Sequence, residues 1–540
     1  MSLPSSKRAG AAPRPGDAAV ALHERGDYAG AVQAFERILQ QDPANAAARW
    51  GLGRALIKLK QMPRAVPHLE QAVAAQPKAP EPHYDLALAY LAVQRPADAV
   101  AHLTLAVARQ PQWIEALSLL GYALHQDGQP ADAEATLRRA LALRPNHPET
   151  LNHLGLVAMR VPGRIEEATR HFTQALAVQP ALLEAWNNLG TALMKQNRLD
   201  EALSAYRRAL ALDPKFSKCK FNESLVRLLQ GRLDRESWLK YEYRWVVLRE
   251  SPARGFRQPL WRGEPLTGRT ILLHTEQGLG DTLQMVRYAP QLAAQGATVI
   301  LEVQPALRPV LEGLPGVTRL VSAGETLPPF DLQCPLLSLP FACDTRLDSI
   351  PVPVPYVRAP AERIDHWAPR LRNRGGYRVG VVWRGNPKHH NDANRSVPFA
   401  TFQRLFDRAP CEFISLQYGP NDTEAAVLTT QPATSLPDGP VTDFADTAAI
   451  VAQLDLVVTV DTSVAHLAGA MGKPVWVLLP FAPDWRWMLQ RADSPWYPTM
   501  RLFRQPAVND WNPVLDAVGA ELQRAACHHA ATGVHVLKSA

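Results

Sequence analysis

At 540 residues the chain is several times the length of a typical domain, which excludes a peptide or a single small module and requires two or three domains. Hydrophobic residues make up 46% and charged residues 20%, the balance of a folded, soluble chain and not of a disordered one. The formal charge of +7 comes from scattered basic residues without a long run, so it suits a nucleotide-linked or phosphorylated substrate as well as it suits nucleic acid.

The first residues, MSLPSSKRAGAAPRPGDAA, lack the apolar core of a signal peptide, and no run of 18 apolar residues follows. Residues 1–11 are therefore expected to be disordered, and the protein to be cytoplasmic with no transmembrane segment. Five cysteines, Cys219, Cys334, Cys343, Cys411 and Cys527, form no CxxC pair and are odd in number. That suits reduced thiols and implies no metal site.

The 47 prolines would suggest disorder if they were scattered, but six of them fall on a period. Pro43, Pro77, Pro111, Pro145, Pro180 and Pro214 are separated by 34, 34, 34, 35 and 34 residues. Twelve residues before each stands Ala31, Ala65, Ala99, Ala133, Ala168 or Ala202, and eight before each stands Phe35, Leu69, Leu103, Leu137, Phe172 or Tyr206. Gly53, Ala87, Gly121, Gly155 and Gly190 recur near the start of the first helix of each later unit. Small side chains let antiparallel helices approach, large apolar ones fill the space between pairs, and the proline stops the second helix. The pattern resembles the tetratricopeptide repeat and predicts an α-solenoid over residues 12–240. The single insertion falls in the turn Val161 to Arg164, and a seventh unit from Ser217 drifts after Gly231 into a cap. The resemblance implies a protein partner on the concave face. There, relatives that glycosylate proteins carry an asparagine ladder; the matching positions are Asp85, Leu119, His153, Asn188 and Asn222, so Asn188 and Asn222 are the candidate acceptor contacts.

After a connector at 241–268 the period changes. Strands are predicted at Thr270 to His274, Thr298 to Val303, Val317 to Ser322, Tyr377 to Trp383, Cys411 to Gln417, Leu456 to Asp461 and Pro474 to Leu479, alternating with amphipathic stretches such as Asp281 to Gln295, Phe399 to Arg408 and Val464 to Met471. Such alternation implies parallel sheets with crossover helices. The proline-rich segment Ile350 to Pro360 separates an amino-terminal lobe at 269–355 from a carboxyl-terminal lobe at 356–527, with a flexible tail at 528–540. Two such lobes place a ligand cleft between their strand ends.

Two turns carry the candidate chemistry. In HTEQGLGDTLQ, a dinucleotide fingerprint would need a glycine where Leu283 stands, and the only Gly-Lys pair, Gly472-Lys473, runs into Pro474, so neither common phosphate loop is present. Gly278 and Gly280 allow close backbone approach, and Asp281 is either a cleft-facing carboxylate or an ordinary helix cap. In LDLVVTVDTSVAHLAGAMGKPVW, a buried strand ends at Asp461, Thr462 and Ser463 open a helix and His466 lies one turn in, a donor set for a diphosphate or a capped helix with a buried histidine. The aromatic cluster Trp485, Trp487, Trp496 and Tyr497 reads as packing ahead of a stacking platform.

DTSVAHLAGAMGKPVW together with the GLGD turn looks like the heptosyltransferases, glycosyltransferase family 9, whose fold is GT-B, two facing Rossmann-like lobes. With the repeats, the phrases WLKYEYRW, EQGLGDTLQMVRYAP and PDWRWML resemble a bacterial group of repeat-containing glycosyltransferase-like proteins. The resemblance implies sugar transfer from a nucleoside-diphosphate sugar to a hydroxyl, with inversion and without metal or other cofactor. Asp281 matches the proposed base, and Asp461, Thr462, Ser463 and His466 match the loop that grips the diphosphate. Arg395, three residues before Pro398, stands where the family carries a lysine. The stretch GNPKHHNDANRS is longer than the family loop, so sugar identity does not transfer. A repeat scaffold with a degenerate GT-B domain, or another GT-B enzyme such as a nucleotide-sugar epimerase, stays open.

Overall fold

The computed structural model describes residues 15–248, 254–351, 354–389 and 391–532. The N-terminal segment expected to be disordered and the last eight residues of the expected tail lie outside them. Helices pair along the first part of the chain: Pro15–Glu24 with Tyr28–Gln41, Ala46–Lys58 with Met62–Ala75, Pro80–Ala92 with Pro96–Arg109, Ile114–Gln126 with Pro130–Leu143, and Pro148–Arg160 with Ile165–Val178. Leu183–Lys195 with Leu199–Leu212, and Ser217–Leu229 with the shorter Arg235–Tyr241, complete the series. Each period-setting proline stands just past the end of a second helix, where its ring cannot continue the helix. Prolines also open helices at Pro80, Pro96, Pro130 and Pro148, positions at which a missing N–H costs nothing.

The recurrent alanines Ala31, Ala65, Ala99, Ala133, Ala168 and Ala202 are fully buried, and so are Leu69, Leu103, Leu137, Phe172 and Tyr206. The recurrent small residues lie mid-helix, not near the helix start as the sequence suggested, and they face the large positions directly. A methyl added at Gly53 would stand 2.5 Å from Leu69, at Gly121 2.4 Å from Leu137, and at Gly155 2.4 Å from Phe172. The two recurring positions are thus halves of one contact. Gly121→Ala is expected to destabilise the repeats by about 1–2 kcal/mol: overpacking costs about 1–3 kcal/mol, and the better helix propensity of alanine returns up to about 1. Urea unfolding checks this, and Leu137→Ala in the same chain should recover part of the loss.

Contacts divide the chain into two compact units, up to Ala192 and from Leu193 on. The last repeat helices therefore belong with the α/β part. In the first unit, His125 and His153 are pushed down to about 4, chiefly by burial. Both stay neutral in the fold, whereas in the unfolded chain they take up protons near pH 6.5. Below that pH the unfolded state binds more protons, so stability falls as pH drops from about 6.5 towards 4, by up to about 3 kcal/mol for each histidine. Thermal melts across that window check the sign; a midpoint that rose on acidification would contradict it.

The second unit holds two parallel sheets. The first has the order β3-β2-β1-β4, with β1 Thr270–His274, β2 Thr298–Val303, β3 Arg319–Ser322 and β4 Leu332–Pro335. The second has the order β10-β9-β8-β5-β6-β7, with β5 Tyr377–Val382, β6 Cys411–Ser415, β7 Thr434–Ser435, β8 Leu456–Val460, β9 Val475–Leu479 and β10 Met500–Arg504. This is an α-solenoid followed by the two Rossmann-like lobes of a GT-B fold. Strands β4, β7 and β10 lacked a sequence signal: β4 ends on proline, β7 has two residues, and β10 has two arginines among five residues without alternation. Between the sheets, Tyr356 and Val357 are buried and donate to the Ala470 carbonyl at 3.0 and 3.3 Å. The closing helix Asn512–Thr532 packs Val514, Leu515, Val518 and Leu522 against β5, so residues 528–532 are helical and not part of a flexible tail.

Candidate functional site

Strand β1 runs into a turn and the helix Leu279–Met285. Gly278 caps that helix, and its N–H donates to Asp281 Oδ2 at 2.7 Å. Asp281 is thus not the N-cap itself but stands three residues in, where accepting the N-cap N–H occupies one carboxylate oxygen. The other accepts from Arg486 Nη2 at 2.5 Å. Arg486 comes from the other lobe, in the turn after β9, and also donates to Gln284 Oε1 at 2.7 Å and Asp484 Oδ1 at 2.8 Å. Its guanidinium lies 4.4 Å from the centre of the Trp485 ring.

Strand β8 ends at Val460, and Asp461 and Thr462 lead into the helix Ser463–Ala470. Thr462 stands at the cap position without capping, because its hydroxyl pairs with that of Thr459 at 3.0 Å. The first N–H groups of this helix consequently have no side-chain cap. Arg395 is brought to the same place: Nη1 donates to the Asp461 carbonyl at 2.8 Å while Nε donates to Asp392 at 3.2 Å. Burial, with Asp484 nearby, pushes the Asp461 carboxyl up to about 6. His466 is 5% exposed, bonded through Nδ1 to the Tyr497 hydroxyl at 3.0 Å and stacked on Trp487 at 5.4 Å. Burial first, then Arg486, Arg287 and Arg395, hold this imidazole neutral, far below its ordinary value.

The two helices meet at Gly280, where a methyl would stand 2.8 Å from His466 Cδ2. That approach explains why the turn carries glycine there. Gly280 of one lobe therefore touches His466 of the other, and Asp281 reaches that lobe through Arg486, while Arg395 and Asp461 meet each other at the start of the helix Ser463–Ala470. Trp485, Trp487, Trp496 and Tyr497 are buried, the packing role expected of them. Arg486, Asp484 and Gln284 were not singled out from the sequence; the phrase PDWRWML held the signal, since an arginine between two tryptophans is seldom a surface residue.

The ladder positions behave otherwise. Asp85 accepts from Trp50 Nε1 at 2.6 Å, His153 meets Ser118 Oγ at 3.0 Å, and Asn188 Nδ2 donates to Asn152 Oδ1 at 2.9 Å. Each bond joins one repeat to the preceding one. Asn188 is 6% exposed, and Asn222 lies half-buried on Ser217–Leu229.

Residues 22–66, 84–148 and 183–216 match the tetratricopeptide repeat, and residues 416–479 match glycosyltransferase family 9 (heptosyltransferase). The chain carries tetratricopeptide repeats in its N-terminal half and a glycosyltransferase family 9 domain at its C-terminus. The family 9 match contains Asp461, Thr462, Ser463 and His466, and leaves Asp281 and Arg395 outside it. The chain is similar to Protein FlbA of Caulobacter vibrioides, 25% identical over 426 residues that cover 68% of this chain and 71% of that protein. Among solved structures it resembles the APC/C hetero-tetramer Cut9-Hcn1 at 20% identity and TM-score 0.38, covering 43% of this chain and 46% of that one. A thermophilic repeat protein of Thermus thermophilus matches at 27% identity and TM-score 0.29, covering 33% and 97%. Among the described residues no helix is long and apolar enough to cross a membrane, and no group of three or more His, Cys, Asp or Glu side chains could hold a metal ion.

Proposed function

We propose that the chain is an inverting, metal-independent glycosyltransferase that moves a sugar from a nucleoside-diphosphate donor onto a hydroxyl of a protein docked by the repeats, in the cytoplasm. The observation that supports this reading is the close approach of the helix Leu279–Met285, which carries Asp281, to the helix Ser463–Ala470, with Gly280 against His466 and no side-chain cap at the start of the second helix. In the proposed step the acceptor oxygen attacks the anomeric carbon as the bond to the diphosphate oxygen breaks. Asp281 takes the hydroxyl proton. The diphosphate leaves onto the free N–H groups at Ser463, with Arg395 beside them to balance its charge. Neutral His466 then serves through its packing on Gly280 and donates at most one hydrogen bond. Asn188 and Asn222 are the acceptor contacts in this reading, and Asn188 serves by exchanging its bond to Asn152 for a peptide one.

Radiolabelled donor sugar supplied to the full chain with a co-expressed acceptor tests the reading; transfer lost in Asp281→Ala supports it, and unchanged transfer in that variant removes Asp281 from the role. A second reading is favoured by one specific bond. Asp281 already accepts from Arg486, as expected of a scaffold whose α/β part keeps its fold without catalysis. Nucleoside diphosphates separate the two: a ligand at 100 times its Kd stabilises by about 2.7 kcal/mol, while a scaffold shows no shift in melting temperature with any of them.

A further inference from the structure

The phrases WLKYEYRW, EQGLGDTLQMVRYAP and PDWRWML are far apart in the chain, yet they converge on one place in the second unit. Arg244, on the short helix Arg244–Val247, is 1% exposed and grips Glu276 as a fork, Nε to Oε2 at 2.8 Å and Nη2 to Oε1 at 2.9 Å. Ser338 Oγ accepts from the same guanidinium at 2.7 Å, and Glu242 pairs with it as well. Glu276 also accepts from the Leu337 N–H at 3.0 Å. It stands two residues ahead of Gly278, whose N–H the Asp281 carboxylate accepts, so the fork fixes the backbone that enters the cap. Trp238, likewise 1% exposed, donates Nε1 to the Thr345 carbonyl at 2.7 Å and sets its edge against Trp485 at 5.5 Å, with Tyr241 at 5.8 Å from the same ring. Trp485 is the ring under Arg486. Both ends of that turn are tethered to repeat residues: Asn197 Nδ2 donates to the Phe481 carbonyl at 2.6 Å, and the Leu489 N–H donates to the Leu229 carbonyl at 3.1 Å.

We propose that the cap of the repeats, Ser217 to Val247, positions the catalytic centre: Arg244 acts through Glu276 on the turn of Asp281, and Trp238 acts through Trp485 on the turn of Arg486. Burying an ion pair is a poor route to stability, since apolar residues of similar volume often do as well. What a forked arginine adds is fixed orientation, which lysine with its single ammonium cannot reproduce. One brace touching the catalytic turns of both lobes couples their geometry. Its catalytic consequence rests on the glycosyltransferase reading, but its structural content does not.

The test uses the full chain, with Arg244→Lys, which keeps the charge, and Trp238→Phe, which keeps a ring and removes the bond to Thr345. Two readouts are taken: kcat and donor KM, and hydrogen exchange of the backbone amides at 276–283 and 484–489. We expect kcat to fall at least 10-fold with KM within twofold. The first turn should exchange at least 10-fold faster in Arg244→Lys and the second in Trp238→Phe, with exchange in the first five repeats unchanged. Unchanged exchange in both turns would overturn the proposal, and so would faster exchange with kcat intact. If the unsubstituted chain transfers no sugar, the glycosyltransferase reading fails, and the exchange rates alone then decide whether the brace holds the turns.

Discussion

Asp281→Asn is expected to lower sugar transfer by roughly 10²–10⁴-fold, the usual contribution of a general base, with donor KM little changed. Asparagine keeps the shape of the side chain, and its carbonyl oxygen still accepts the Gly278 N–H that closes the cap. Arg486 keeps Asp484 and Gln284 as acceptors. The lobe contact survives through Gln284, but the amide NH2 now faces Arg486 Nη2, donor against donor, so the variant loses its bond to Arg486 together with the capacity to take a proton. A variant that lost activity only because the helix start had frayed would also lose donor affinity. Kinetics with labelled donor separate these outcomes, and equal kcat in both proteins would eliminate Asp281 as base.

Arg486→Met is expected to have the larger effect on stability, about 2–3 kcal/mol, below the roughly 3–5 kcal/mol that breaking a fully buried ion pair costs, because the Asp281 and Asp484 side chains are 21% and 35% exposed. The arginine side chain is 9% exposed and ties three acceptors from two lobes. Removing it leaves Asp281 and Asp484 close together with no cation between them, and Gln284 Oε1 without its donor. Met fills much of the volume over Trp485, so the loss reports charge and not a cavity. Asp281→Asn in the same chain should recover part of the stability, because one of the stranded charges is then gone. Urea unfolding of the three variants closes the cycle; strict additivity would mean that Asp281 and Arg486 do not interact.

The repeats were legible because a 34-residue period in proline, alanine and glycine is a packing rule written several times over, and the insertion at Val161 to Arg164 could be read against the other turns. The extent of the first compact unit was not, since periodicity records helices and does not record which neighbours they bury against. Ser217–Leu229 has a repeat sequence and packs against the turn of Trp485, with its Leu229 carbonyl accepting from the Leu489 N–H. In the site, the strand-to-helix turns at Gly278 to Asp281 and Asp461 to Ser463 were visible because glycine, carboxylate and hydroxyl at a strand end have few other uses. Arg486 was hidden because its partners in the other lobe lie far away along the chain, which no local spacing reports. The same holds for Arg244 and Glu276. Asn188 was visible as an amide but not as one already bonded to the preceding repeat, because whether a polar side chain on a helix is free depends on the helix packed beside it.

A crystal structure of the full chain with a saturating nucleoside diphosphate would decide between a transferase and a scaffold. The diphosphate is expected at the first N–H groups of Ser463–Ala470, in contact with Arg395 and on the Asp281 side of the cleft. A diphosphate bound elsewhere, or an empty site under saturating ligand, would contradict both that placement and the proposed transfer.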